Sequence, residues 1–213
     1  MNDLDSTSQR ERGKKQRKLL ILKAASEEFK RHGFDKTRID EIAKLAGVAT
    51  GTVYNYFPTK DLLLLEMVAV HRDQMPTALI HLITSPPADP IEAFVAFYRL
   101  MGEESLRYLD KPLWRHALAA FATGSWAETD EKRWRHEHDL MRYQASMLKL
   151  LQHGRSLPET IDVTRMVEII HACGFFWWHQ FLERDDFSFE DFILKLRGNF
   201  EILLPMEALS GPS

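Results

Sequence analysis

Apolar side chains recur at three- and four-residue spacing through most of the chain, and no stretch sustains the period-two alternation of a half-buried strand. The pattern predicts an all-α protein of about nine or ten helices. A first helix is expected from about Lys15 to Arg31, with Ile21, Ala24, Ala25, Glu28 and Phe29 inward and Gly33 at its end. A second should start near Thr37, which stands three residues before Asp40 as in a short capping box, and Gly47 should end it. Ile39, Ile42, Ala43 and Ala46 form its apolar stripe. A third short helix carries Val53 and Phe57 inward and leaves Thr50, Thr52, Tyr54, Asn55 and Tyr56 outside.

Thr59 is placed to cap a fourth helix, from Lys60 to about Gln74, in which Leu62, Leu65 and Val68 or Ala69 are expected to face the first three. Pro76 predicts a kink or break. Ser85-Pro86-Pro87-Ala88-Asp89-Pro90 is a loop, since three prolines in five residues remove the backbone donors a helix needs. Beyond it, helical patterns cover about Pro90 to Leu109, Lys111 to Ala122, Ala127 to His153, Val163 to Arg184 and Phe189 to Leu204.

Two short helices joined by a glycine turn form a helix-turn-helix. The outward face of the second carries hydroxyls, an amide and aromatic bodies, groups that suit phosphates and base edges in a major groove. On Ile39-Asp40-Glu41-Ile42-Ala43, Gly47-Val48-Ala49-Thr50-Gly51-Thr52-Val53-Tyr54-Asn55-Tyr56-Phe57 and Lys60, residues 17 to 63 resemble the DNA-binding domain of the TetR (tetracycline-repressor) family. Ala49 stands where that family often has a capping serine, a change that typically costs about 1 kcal/mol.

The resemblance implies an N-terminal three-helix DNA-binding domain and a larger C-terminal helical ligand-binding and dimerisation domain. The domains are expected at 14–60 and 61–213, after a disordered arm at 1–13. The implied DNA contacts are Thr37, Arg38, Thr50, Gly51, Thr52, Tyr54, Asn55, Tyr56 and Lys60. The implied function is a ligand-responsive transcriptional repressor that binds palindromic double-stranded operator DNA as a homodimer and is released by a small molecule. Alternatively, the protein is a DNA-binding activator or regulator whose C-terminal domain docks a protein partner.

Charge divides the chain in the same way. Residues 1–60 carry 13 Lys and Arg against 8 Asp and Glu, whereas 61–213 carry 15 against 23. The basic part suits DNA, and the acidic part would be repelled by it. Arg10, Arg12, Lys14, Lys15, Arg17 and Lys18 form a basic run at the entry to the first helix.

The acidic part is rich in large rings, and gaps between helices lined by such rings bind small molecules. Phe94, Phe97, Tyr98, Met101, Trp114, Leu118, Phe121, Met141, His171 and Phe175 are the expected ligand-binding residues, and an apolar or aromatic effector is expected. Phe175-Phe176-Trp177-Trp178 covers nearly the whole circumference of a helix, so one core cannot bury it all. A two-fold partner is expected to cover the remainder through Trp178, Phe181, Phe192, Leu196 and Phe200.

No metal, cofactor or catalytic function is expected. His171 and Cys173 are two apart on a helix and diverge, and no Gly-rich phosphate loop or His-Glu-x-x-His motif occurs. The single cysteine, the absence of a long apolar run and the polar N-terminus predict a cytoplasmic protein with no membrane association.

Overall fold

The computed structural model describes residues 3–123 and 127–204, and within them all side chains except those of 3–8, 10, 72–78, 123, 127–134 and 136. Among the described residues there are nine α-helices and no strand. They are α1 (Asp3–His32), α2 (Ile39–Leu45), α3 (Thr50–Tyr56), α4 (Lys60–Thr84), α5 (Pro90–Tyr108), α6 (Lys111–Thr123), α7 (Ala127–His153), α8 (Val163–Glu183) and α9 (Phe189–Leu203). None is long and apolar enough to cross a membrane.

Side-chain oxygens start four of these helices by satisfying amides that have no partner within the helix. Thr59 Oγ1 accepts from Leu62 N at 3.1 Å. Asp89 Oδ1 accepts from Ile91 N and Glu92 N, and Pro90 occupies the first turn, where its missing N–H costs nothing. Asp162 caps α8 likewise. Ser188 and Asp191 form a reciprocal capping box at α9.

Three expectations are corrected. Residues 3–13, expected as a disordered arm, are the opening turns of α1. Glu11, Arg12, Lys14 and Lys15 are good helix formers, and Gly13 among them costs only about 1 kcal/mol. Pro76 does not end α4, which runs unbroken to Thr84; buried Leu63, Leu64, Leu65, Met67 and Leu79 hold it on either side of the proline. Thr37 does not cap α2, because Arg38 is the N-cap residue and Glu41 accepts its backbone N–H at 3.3 Å.

The chain forms two compact units, 1–70 with 112–129 and 71–111 with 130–213. The first therefore includes α6 as well as α1 to α3 and the start of α4. Its core is Ile21, Ala25 and Phe29 from α1, Ile42 and Ala43 from α2, Val53 and Phe57 around α3, Leu63, Leu64 and Met67 from α4, and Leu113, Trp114 and Ala117 from α6.

The second unit packs α5, α8 and α9 through Phe94, Phe97, Tyr98, Ile170, Phe181, Phe192, Leu196 and Phe200, with Met147, Leu148 and Leu151 from α7 also buried. Tyr98 lies against Gly174 so closely that a Cβ there would sit 2.1 Å from Tyr98 Cε1. Two exposed bidentate pairs, Arg99–Glu190 and Arg197–Glu92, tie α5 to α9.

Gly174→Ala should destabilise the protein by about 1–3 kcal/mol or more through overpacking. Gly51→Ala, with open space at the Cβ position, should instead gain about 0.5–1 kcal/mol of helix stability. Urea unfolding of the two variants checks both signs.

Candidate nucleic-acid interface

The turn between α2 and α3 is made by Gly47, whose φ of +67° favours glycine, and by Val48 N donating to Ala43 O at 3.0 Å. Val53 is fully buried, and this orients the rest of α3. Thr50, Gly51, Tyr54 and Asn55 are exposed, and Thr52 and Tyr56 are half-buried. Ala49 precedes α3 without a side-chain cap. This exposed face joins a groove lined by Gly13, Lys14 and Arg17 of α1 and by Thr52, Asn55 and Tyr56 of α3. Tyr56 Oη donates to Lys14 O at 3.4 Å across it.

The groove has two cations and no acid among its lining residues, a composition that attracts phosphate. Lys14 and Arg17 were read in the sequence as part of a basic run; their helical register beside α3 places them at the site. Arg38 is exposed and makes a bidentate ion pair with Asp40 at 2.9 and 3.0 Å.

Two expected DNA contacts lie elsewhere. Thr37 is buried, and its hydroxyl is within 2.7 Å of Gly33 O and 3.1 Å of Glu28 O, so it closes the α1–α2 turn. Lys60 Nζ lies 2.5 Å from Phe34 O and 3.2 Å from both Asp35 O and Thr37 O, and 4.5 Å from the Phe34 ring centroid. An ammonium has three donors, and these carbonyls use them. Lys60 is therefore a clamp on the same turn rather than a hand for phosphate. His116 of α6 stacks on Phe34 at 4.5 Å, with its Nε2 3.8 Å from Asp35 Oδ2.

Residues 21–67 match the family model for bacterial regulatory proteins of the tetR family. They are a tetR-family domain. The chain is 34% identical over 96 residues to the uncharacterized HTH-type transcriptional regulator YuxN of Bacillus subtilis, a match that covers 45% of this chain and only 33% of that protein. The tetR-family assignment agrees with the fold of solved structures. A TetR/AcrR-family regulator from Thermobifida fusca superposes with a TM-score of 0.63 at 20% identity, over 93% of this chain and 99% of that one. The FadR repressor of Thermus thermophilus, solved with lauroyl-CoA, gives 0.58 at 23% identity, over 87% of this chain and 92% of that one.

Outside the tetR-family domain, the expected ligand and dimer residues are redistributed. Trp114, Leu118 and Phe121 belong to the first unit. Phe175 is 54% exposed and points away from that interior. Phe94, Phe97 and Tyr98 are buried in it, while Met101, Met141 and His171 are half-buried. Phe181, Phe192, Leu196 and Phe200 are buried within the single chain and Trp178 is half-buried; Trp178 stacks edge-on against Phe192. They knit α8 to α9. The exposed apolar residues on these helices are Ile169, Phe175, Phe176, Leu194 and Ile202.

The interior also holds a polar chain that the sequence did not reveal. Tyr98 Oη donates to Ile170 O at 3.0 Å and accepts from Gln144 Nε2 at 2.9 Å. Burial pushes the Tyr98 phenol far above its ordinary pKa, so it keeps its proton. His171 Nε2 lies 3.0 Å from Glu137 Oε2.

Arg17→Ala should lower the salt dependence of DNA binding by about 0.9 in the log–log slope, the contribution of one phosphate contact. Lys60→Ala should leave that slope unchanged and cost about 1–3 kcal/mol of folding stability through stranded carbonyls. Anisotropy titrations across a salt series, with urea unfolding of both variants, separate these effects.

Proposed function

We propose that the chain is a ligand-responsive transcriptional repressor that binds palindromic operator DNA as a homodimer. The observation that carries this reading is the outward face of α3, with Thr50, Gly51, Tyr54 and Asn55 exposed beside the Lys14–Arg17 groove. Asn and Thr read base edges, while Lys and Arg hold phosphates. One seven-residue recognition helix spans only a few base pairs, so a stable site requires two copies about 34–36 Å apart.

The exposed apolar residues of α8 and α9 support the dimer, since five large apolar side chains on two helices are left in water, Ile169 and Phe176 along one groove, and association would cover them. The second unit serves as the effector domain. The chain passes between the two units three times, within α4 after Val70, at the start of α6 after Lys111, and within α7 after Thr129. An effector that favours a different arrangement of the second unit would move these helices and change the spacing of the two recognition helices. Acyl-CoA is the ligand of the Thermus thermophilus FadR structure and represents one effector class to test here. The cytoplasm is the compartment this function requires.

Phe176→Glu together with Ile202→Glu should give a folded monomer whose affinity for a palindromic duplex falls by at least about tenfold, since one half-site then binds alone. Light scattering and anisotropy measure both. A dimer that survives the double substitution would refute the α8–α9 interface.

A further inference from the structure

Gly51 is part of the exposed face of α3. Glycine weakens a helix, and α3 is seven residues long with no side chain capping it, so the weakness falls where it is least easily absorbed. The fold has no use for it. Gly47 needs its positive φ and Gly174 needs the space that Tyr98 fills, whereas Gly51 has no positive φ and a Cβ there would meet nothing within 4 Å. An exposed glycine that neither backbone nor packing requires points to a partner that comes close to the main chain.

The residues around Gly51 shape what can approach it. Tyr54 and Asn55 lie three and four positions on, and helical side chains lean toward the N-terminus, so both stand over the turn that holds Gly51. Thr50 flanks it from the preceding position. All three are exposed, and fully buried Val53 fixes the direction of the face. The result is a notch with the bare Gly51 Cα at its floor, the Tyr54 ring as a wall, and the Asn55 amide and Thr50 hydroxyl at its rim. Asn55 also lines the groove of Lys14 and Arg17, so a duplex whose phosphates rest on those cations turns its major-groove edges toward this side of α3.

We infer that the notch receives the C5-methyl group of a thymine, one in each half-site, and that Gly51 is a specificity-determining residue. The inference rests on reading the chain as a DNA-binding repressor. Of the four bases, only thymine carries an apolar group on its major-groove edge; the distinguishing groups of the others are hydrogen-bond donors and acceptors. The floor of the notch has no side-chain donor or acceptor, so it favours a methyl over an amine or a carbonyl. A Cβ at position 51 would take the volume that the methyl needs.

The test uses the full chain and the palindrome it selects from a random duplex pool. Symmetry-related thymines are replaced, one pair at a time, by deoxyuridine, which lacks only the methyl. At one pair, wild-type affinity should fall about tenfold, from one buried methyl in each half-site. Gly51→Ala should bind the thymine duplex at least about tenfold more weakly than the wild type, through overpacking. It should bind the deoxyuridine duplex of that same pair more tightly than the thymine duplex. Two groups competing for one volume produce this reversal, and general damage to α3 does not. Urea unfolding of Gly51→Ala should show no loss of stability, which keeps misfolding out of the comparison. A selected half-site without thymine, undiminished binding of the thymine duplex by Gly51→Ala, no pair at which the preference reverses, or a destabilised variant would overturn the inference and leave the repressor reading standing. Failure to select any palindrome would remove both.

Discussion

The turn from Gly33 to Thr37 is the constraint on which the DNA-reading surface depends. Gly33 leaves α1 at a φ of +78°, Thr37 ties its hydroxyl back to the end of α1, and Lys60 reaches from the start of α4 to three carbonyls of the turn. Phe34 stands at the centre, with Lys60 Nζ and the His116 ring each 4.5 Å from its centroid and Phe29 5.3 Å away. Helices α1, α4 and α6 all meet at this ring or its backbone. Helix α3 has no side-chain cap, α2 has only the 3.3 Å bond from Arg38 N to Glu41, and seven-residue helices are marginal in isolation. Their positions follow from buried Ile42, Val53 and Phe57 and from this clamp.

A different kind of constraint organises the second unit. Tyr98 is pressed against Gly174, where no side chain larger than hydrogen fits, and its hydroxyl joins α5 to the backbone of α8 and to Gln144 of α7. Three helices are thus registered by one phenol. The same bonds strand Gln144 Oε1, which costs about 1–3 kcal/mol if nothing else satisfies it.

The helices were largely legible in the sequence because their signals are local: apolar periodicity, the Asp89, Asp162 and Ser188 caps, and Gly33 and Gly47 at turns. The exposed face of α3 was legible for the same reason, since Val53 and Phe57 fix which residues remain outside. Long-range commitments were not. Lys60 looked free for phosphate because the carbonyls that hold it lie 23 to 26 residues away. Thr37 looked like a cap because its partners at Glu28 and Gly33 are set by the tertiary turn. Trp114 and Phe121 read as aromatics of the C-terminal domain, yet α6 is part of the first unit, and nothing in a helical stripe says which unit it will join. Phe181, Phe192 and Phe200 are core residues of one chain by the same argument. Gln144 gave no signal, since a single amide acquires meaning only from Tyr98, 46 positions earlier.

The central claim is that the exposed face of α3, presented twice by a dimer, reads a two-fold DNA sequence. Selection of bound sequences from a random duplex pool by the purified chain tests it most directly. The account predicts enrichment of a palindrome whose half-site centres lie one helical turn or a whole number of turns apart, with the preferred bases changing in the Asn55→Ala protein. No enrichment, or an enriched sequence unaffected by Asn55→Ala, Thr50→Ala and Tyr54→Phe alike, would contradict it.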